Sequence, residues 1–307
     1  MSKGGSIVRL PHENSVRFDA DSHTYHVRPS SDAVGDGWRR ADRSVTALVA
    51  GSFERFDAEA VLSEHFGRWR RSKSSKYYEL INGVLEGGGS EADARAAILG
   101  EWECNRARAA SGGTATHELF EKRLRDPEHS PCAAIDSWLE STAATQSAEL
   151  RPIAVEVPVF HEPSRAGGAI VAGCIDALFE DQHGVRPPPL PRTARRLHAA
   201  ALDCALPGLC WLVDWKTSKN VCPNERAYRN GHGAASSLPD TSFHRYSLQL
   251  ALYAALLRSC AGIDVGERRL IAHVRDDGIR NVQAETELCD LTATALLAAA
   301  TARGAGQ

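Results

Sequence analysis

The chain has 307 residues, 43% apolar and 24% charged, the balance of a globular protein able to bury a sizeable core. No run approaches the roughly 18 apolar residues that span a bilayer, and the opening MSKGGSIVRLPHENS has no signal-peptide apolar stretch, so an intracellular protein with no membrane partner is predicted. The net charge of −3 leaves the question of nucleic acid to local clusters of charge.

Residues 15–27, SVRFDADSHTYHV, alternate and turn at Ala20–His23, which predicts a small hairpin. SVTALVAGSF then leads into FDAEAVLSEHFGRWRR, a helix with Asp57 as its N-cap. KYYELINGVLEGG is a short helix ending on glycines. Ser90 caps a longer one, SEADARAAILGEWECNRARAA, and a further helix, TATHELFEKRLRD, follows Gly112–Gly113. CAAIDSWLESTAAT completes a region, 45–148, that reads as nearly all helical.

The character changes at Arg151. RPIAVEVPVF, AIVAGCIDALFED and LCWLVDWKTS read as strands, the last two separated by a Pro-rich surface excursion. FHRYSLQLALYAALLRS is an amphipathic helix, RRLIAHVR a strand and LCDLTATALLAAATAR a closing helix. Strands followed by a crossover helix and another strand predict an α/β core behind an N-terminal helical layer. The expected division is 1–104, a hairpin and helical layer acting as a cover or arch, and 105–307, a core carrying an insertion at 181–209. The eight cysteines form no Cys-x-x-Cys pair, so their spacing suggests free thiols rather than a zinc or iron–sulfur site.

The chemistry concentrates in WLVDWKTSKN, residues 211–220. A strand sends alternate residues to opposite faces, so Asp214 and Lys216 share one face while Trp215 turns into packing. Asp176 ends the apolar stretch AIVAGCID and would lie beside Asp214 if the two strands pair. Two carboxylates and a lysine at strand ends make a site for a hard divalent cation, although a plain salt bridge at a strand end reads equally well. His117 and Glu121 are four apart and share a helix face, as an ordinary surface pair would. Gln249 and Tyr253 share another, with Arg245 one turn earlier, on what could be only the polar flank of an amphipathic helix.

In this order the elements resemble the RecB-type branch of the PD-(D/E)XK nuclease superfamily. Gly113 with His117, Gly173 with Asp176, Asp214 with Lys216 and Gln249 with Tyr253 match its G-x-x-x-H, G-x-x-D, D-x-K and Q-x-x-x-Y motifs. RSVTALVAGSFERFD is similar to the SVT segment of exonucleases resembling the mitochondrial genome maintenance enzyme and its viral and phage relatives. The resemblance spans about residues 44–275 and implies a restriction-endonuclease-like core, a mixed central sheet flanked by helices. It implies His117, Asp176, Asp214 and the Trp215 carbonyl as ligands of one or two Mg2+ or Mn2+ ions. Lys216, Asp214 and Asp176 would be catalytic, and Glu121, Glu156, Gln249 and Tyr253 supporting. The cysteines of iron–sulfur members are missing, so no cluster is expected.

RWRRSKSSKYY adds Arg68, Arg70, Arg71, Lys73 and Lys76, interleaved with Trp69, Tyr77 and Tyr78, and no acidic residue. Cations for phosphates and rings for unpaired bases are the means of holding a single strand; a solvated helix end with core aromatics is the other reading. With Arg245 these residues form the expected nucleic-acid surface, and RTARRLH at 192–198 is a weaker basic patch. The expected function is a metal-dependent deoxyribonuclease, an exonuclease on single-stranded DNA or free ends in repair, recombination or replication. An endonuclease of the same fold, a non-cleaving nucleic-acid binder and a hydrolase of another phosphoester are the alternatives.

Overall fold

The computed structural model describes residues 7–19, 21–28, 37–145, 150–162, 168–181 and 210–302. It divides into two compact units, Met1–Glu54 with His117–Gln307, and Arg55–Thr116. The boundaries thus fall at 54 and 116 instead of 104, and the N-terminal hairpin belongs with the strand-rich part. The insertion, beyond Asp181, and the patch at 192–198 lie outside the described residues.

In the larger unit the expected hairpin forms from β1 (Val16–Asp19) and β2 (Thr24–Val27), with β3 (Arg39–Arg40) added on β2. Asp19 fixes its turn by accepting the Asp21 and Ser22 amides at 3.0 and 3.2 Å. A mixed six-stranded sheet follows. It joins β4 (Arg43–Ser44), β5 (Leu150–His161), β6 (Val171–Asp181), β7 (Cys210–Lys216), β8 (Arg269–Arg275) and β9 (Gly278–Gln283) in the order β4-β6-β7-β8-β9, with β5 also paired to β6. β6 pairs antiparallel with both β5 and β7, and the long segment between β6 and β7 does not prevent their pairing. β7 and β8 are parallel, as a crossover helix between them requires.

Helices cover both faces of this sheet. α1 (Val45–Ala50), α6 (Ser242–Ala261) and α7 (Glu287–Ala302) bury Leu48, Leu252, Leu256 and Leu297 with Val157 and Ile175. On the other face, the end of α4 (Glu91–Arg125) and α5 (Ala133–Thr145) bring Phe120, Ile135 and Trp138 against Phe179, Val213 and Trp215. This double burial explains the near-continuous apolar run before Asp214, and each large side chain so buried contributes about 1.5–3 kcal/mol. α6 starts at Thr241, which accepts the His244 amide, and stops at Gly262, whose φ of 68° suits a residue without Cβ.

The smaller unit holds α2 (Ala58–Arg71), α3 (Tyr78–Glu86) and α4 as far as Thr116, around Leu62, Phe66, Ile81 and Ile98. Asp57 accepts the Ala60 amide at 3.0 Å, and Ser90 and Asp93 cap each other reciprocally. The sequence suggested two helices separated at Gly112–Gly113, but α4 runs unbroken for 35 residues. Each glycine costs a helix interior about 1 kcal/mol, too little to stop this one. Thr114 and Thr116 also bond back to the Ala110 and Gly112 carbonyls. Among the described residues no helix is long and apolar enough to cross a membrane.

Candidate metal centre

Three neighbouring strands bring a carboxylate each to one level. Val155 pairs with Ala177 and Val157 with Ile175, which sets Glu156 opposite Asp176. Ala177 pairs with Val213, so one step further along the register sets Asp176 opposite Asp214. The amide of Trp215 donates to Asp176 Oδ2 at 2.8 Å and locks that arrangement.

His117 arrives from α4. Its Nε2–H donates to the Trp215 carbonyl at 3.0 Å, and Nδ1 lies 3.5 Å from Asp176 Oδ1. The potential ligand atoms of His117, Glu156 and Asp176 all fall within 4.8 Å of one another. Trp215 thus meets Asp176 through its amide and His117 through its carbonyl. Its ring is buried edge-on against Phe120 and Trp138, centroids 5.2 and 5.1 Å away.

Asp214, expected among the ligands, stands outside this trio. It is 1% exposed and forms an ion pair with Lys216 Nζ at 2.7 Å. Gln249 Nε2 donates to its Oδ1 at 3.3 Å and lies 3.2 Å from the Tyr253 hydroxyl. Its Oδ2 is the oxygen that meets the Lys216 ammonium. Tyr253 lies so close to β6 that a Cβ on Gly173 would come within 2.7 Å of its ring, which accounts for glycine there.

Glu156, assigned only a supporting role from sequence, joins the potential ligands. Its backbone sits at φ 49°, in the left-handed region that costs a non-glycine residue about 1–2 kcal/mol. The signal was there in AVEVPVF, a lone carboxylate in an apolar strand. Glu121 bonds Arg125 at 2.8 Å, and Arg125 in turn donates to the Val155 carbonyl, buttressing the strand beside Glu156. A cavity of about 730 Å3 opens there, lined by Glu121, Arg125, Glu156, Cys174 and residues of the hairpin.

Electrostatics follow from this crowding. Burial, reinforced by the Asp176 charge, pushes the Glu156 carboxyl up to about 7. Burial likewise raises Asp214 to about 6, against the pull of Lys216. For Asp176, burial is outweighed by the His117 hydrogen bond and charge, so its carboxyl is held below the usual range. Burial opposes the protonated form of His117 and of Lys216, but the carboxylates around them win and raise both. Two carboxylates, an imidazole and a nearby backbone carbonyl form a donor set that fits a hard divalent cation.

The expected nucleic-acid residues separate into two groups. Arg68, Arg70, Arg71, Lys73 and Lys76 are exposed. Tyr77 is buried and Trp69 half-buried; with Trp102 they form an aromatic cluster, the Trp102 indole donating to the Tyr77 hydroxyl. These two rings serve the core of the smaller unit instead of facing bases. Arg245 is occupied as well, bonded to Asp240 at 2.7 Å and lying over the Phe53 ring.

The chain matches no protein-family model and no curated protein. Among solved structures, the crystal structure of SSO0001 aligns over 65% of this chain and 72% of its own, at 16% identity. Its TM-score of 0.25 is too low to bear on fold or function.

Proposed function

We propose that the protein is a metal-dependent deoxyribonuclease with a PD-(D/E)XK core of the RecB type, an exonuclease acting on single strands or free ends. One observation carries the reading: the His117–Glu156–Asp176 cluster stands on the same rung of the sheet as the buried Asp214–Lys216 pair. The order from α4 to β8, two helices, three strands, a helix and a strand, agrees with the resemblance. Mg2+ or Mn2+ held by His117, Glu156 and Asp176, with the Trp215 carbonyl and Asp214 beside them, would supply charge neutralisation at the scissile phosphate and a more acidic water.

The chain's own residues do the rest. Lys216, fixed by Asp214, presents an ammonium to orient the attacking water or the phosphate oxygen. Gln249 holds Asp214 from α6, and Tyr253 holds Gln249. His117 would serve such an ion as a neutral imidazole, so its own protonation would compete with the metal. The test is digestion of linear single-stranded DNA by the purified chain in Mg2+, Mn2+ or EDTA, beside Asp214→Asn and Lys216→Ala. Metal-dependent hydrolysis lost in both folded variants is the expected result. Equal activity in either would overturn the assignment.

A further inference from the structure

The three-stranded sheet has two unlike faces. Val16 and Val27 turn inward, buried with Phe160, Ile170 and Ala172. Cross-strand partners share a face, and Arg17 pairs with His26, which pairs with Arg40, so these three form a basic row on the opposite side. Arg28 and Trp38 fall on that side by alternation, and the Arg17 and Arg28 guanidiniums lie 4.3 and 5.0 Å from the Trp38 ring centre. Arg17, Arg28 and Arg40 are exposed, and none forms an ion pair with a carboxylate among the described residues. The one acidic residue of β1, Asp19, is engaged by the amides of its own turn.

Three exposed arginines without a carboxylate partner among the described residues, two of them over one indole, form a cationic surface complementary to a polyanion. We infer that this outer face, built on Arg17, Arg28, Arg40, His26 and Trp38, is a docking surface for single-stranded nucleic acid, gripped by its phosphates. The inference rests on the nuclease reading and adds a path to it. Arg17 belongs to the basic row and also lines the cavity beside Glu156. Phe18 and Tyr25, stacked 4.8 Å apart, line the same cavity, with Phe18 49% exposed. A strand gripped on the outer face therefore has cationic and then aromatic side chains to follow over the sheet edge to the carboxylates.

The test uses the full chain with Arg28→Ala and Arg40→Ala combined, two positions remote from the ligand cluster. Binding of a fluorescein-labelled oligothymidylate is followed by anisotropy in EDTA between 50 and 300 mM KCl. Loss of two phosphate contacts on a single strand lowers the salt slope by about 1.4 and weakens binding about 25-fold at 0.1 M salt. A control lacking Arg275 and Arg280, whose guanidiniums pair with Asp277, should bind like the parent. Unchanged slope and affinity in the first variant, equal losses in the control, or no oligonucleotide binding by the parent would each overturn the proposal. So would loss of binding to phosphatidylserine vesicles with oligonucleotide binding intact. A chain that binds through this face but cuts no DNA in Mn2+ or Mg2+ would refute the nuclease reading and leave the docking surface standing.

Discussion

Replacing Glu156 with glutamine should make the metal-free protein more stable, and only above a defined pH. Burial and the Asp176 charge hold the folded carboxyl at about 7, against an ordinary value of 4.5. Between these values the unfolded chain releases this proton while the folded chain keeps it, so stability falls as pH rises through the window and levels off above it. The gap of about 2.5 in pKa corresponds to about 3 kcal/mol. Glutamine keeps the shape and stays neutral, so Glu156→Gln should match the parent at pH 4 and exceed it by about 3 kcal/mol at pH 8. Urea unfolding in EDTA at both pH values measures the difference. Mn2+ at 1,000 times its Kd should then reverse the order, since it adds about 4.1 kcal/mol to the form that binds it. A parent as stable as the variant at pH 8 in EDTA, or a difference independent of pH, would refute the reasoning.

Lys216→Ala leaves the Asp214 carboxylate buried without its partner, so urea titration at neutral pH should show a loss of about 3–5 kcal/mol. Asp214→Asn should fold with less penalty, yet reduce DNA hydrolysis by roughly 10²–10⁴, as initial rates would show. Gly173→Ala forces the Tyr253 ring aside and should cost about 1–3 kcal/mol in thermal unfolding, with a fall in turnover because Tyr253 braces Gln249. A linear single strand should be consumed in Mn2+ while its covalently closed circle survives on a denaturing gel; rapid loss of the circle would favour internal cutting.

The strands and the charged residues at their ends were legible because the signals are local. Asp214, Lys216 and Asp176 interrupt apolar runs, and the period of two fixes which of them share a face. The division of labour between Asp214 and Glu156 was not legible, because it depends on register between β5, β6 and β7, which no single segment encodes. Gly112–Gly113 misled because glycine is only a weak helix breaker where no left-handed turn is required. Trp69 and Tyr77 misled because a basic, aromatic stretch looks the same whether its rings face solvent or pack on Trp102. β3 and β4 span two residues each, too short for any alternation to show.

Trp215 stands between aspartate and lysine as the unnamed letter of a D-x-K pattern, and it is not interchangeable. Because its main chain touches two of the three potential ligands while its indole sits among Phe120, Trp138 and Phe179, core packing and the spacing of those ligand atoms are mechanically linked. Trimming Phe179, which is not among the potential ligands, should weaken Mn2+ binding measured by calorimetry well before the fold melts. The edge-to-face indoles of Trp138 and Trp215 also form a coupled chromophore pair, so near-ultraviolet circular dichroism offers an optical gauge of the site that needs no label and no substrate.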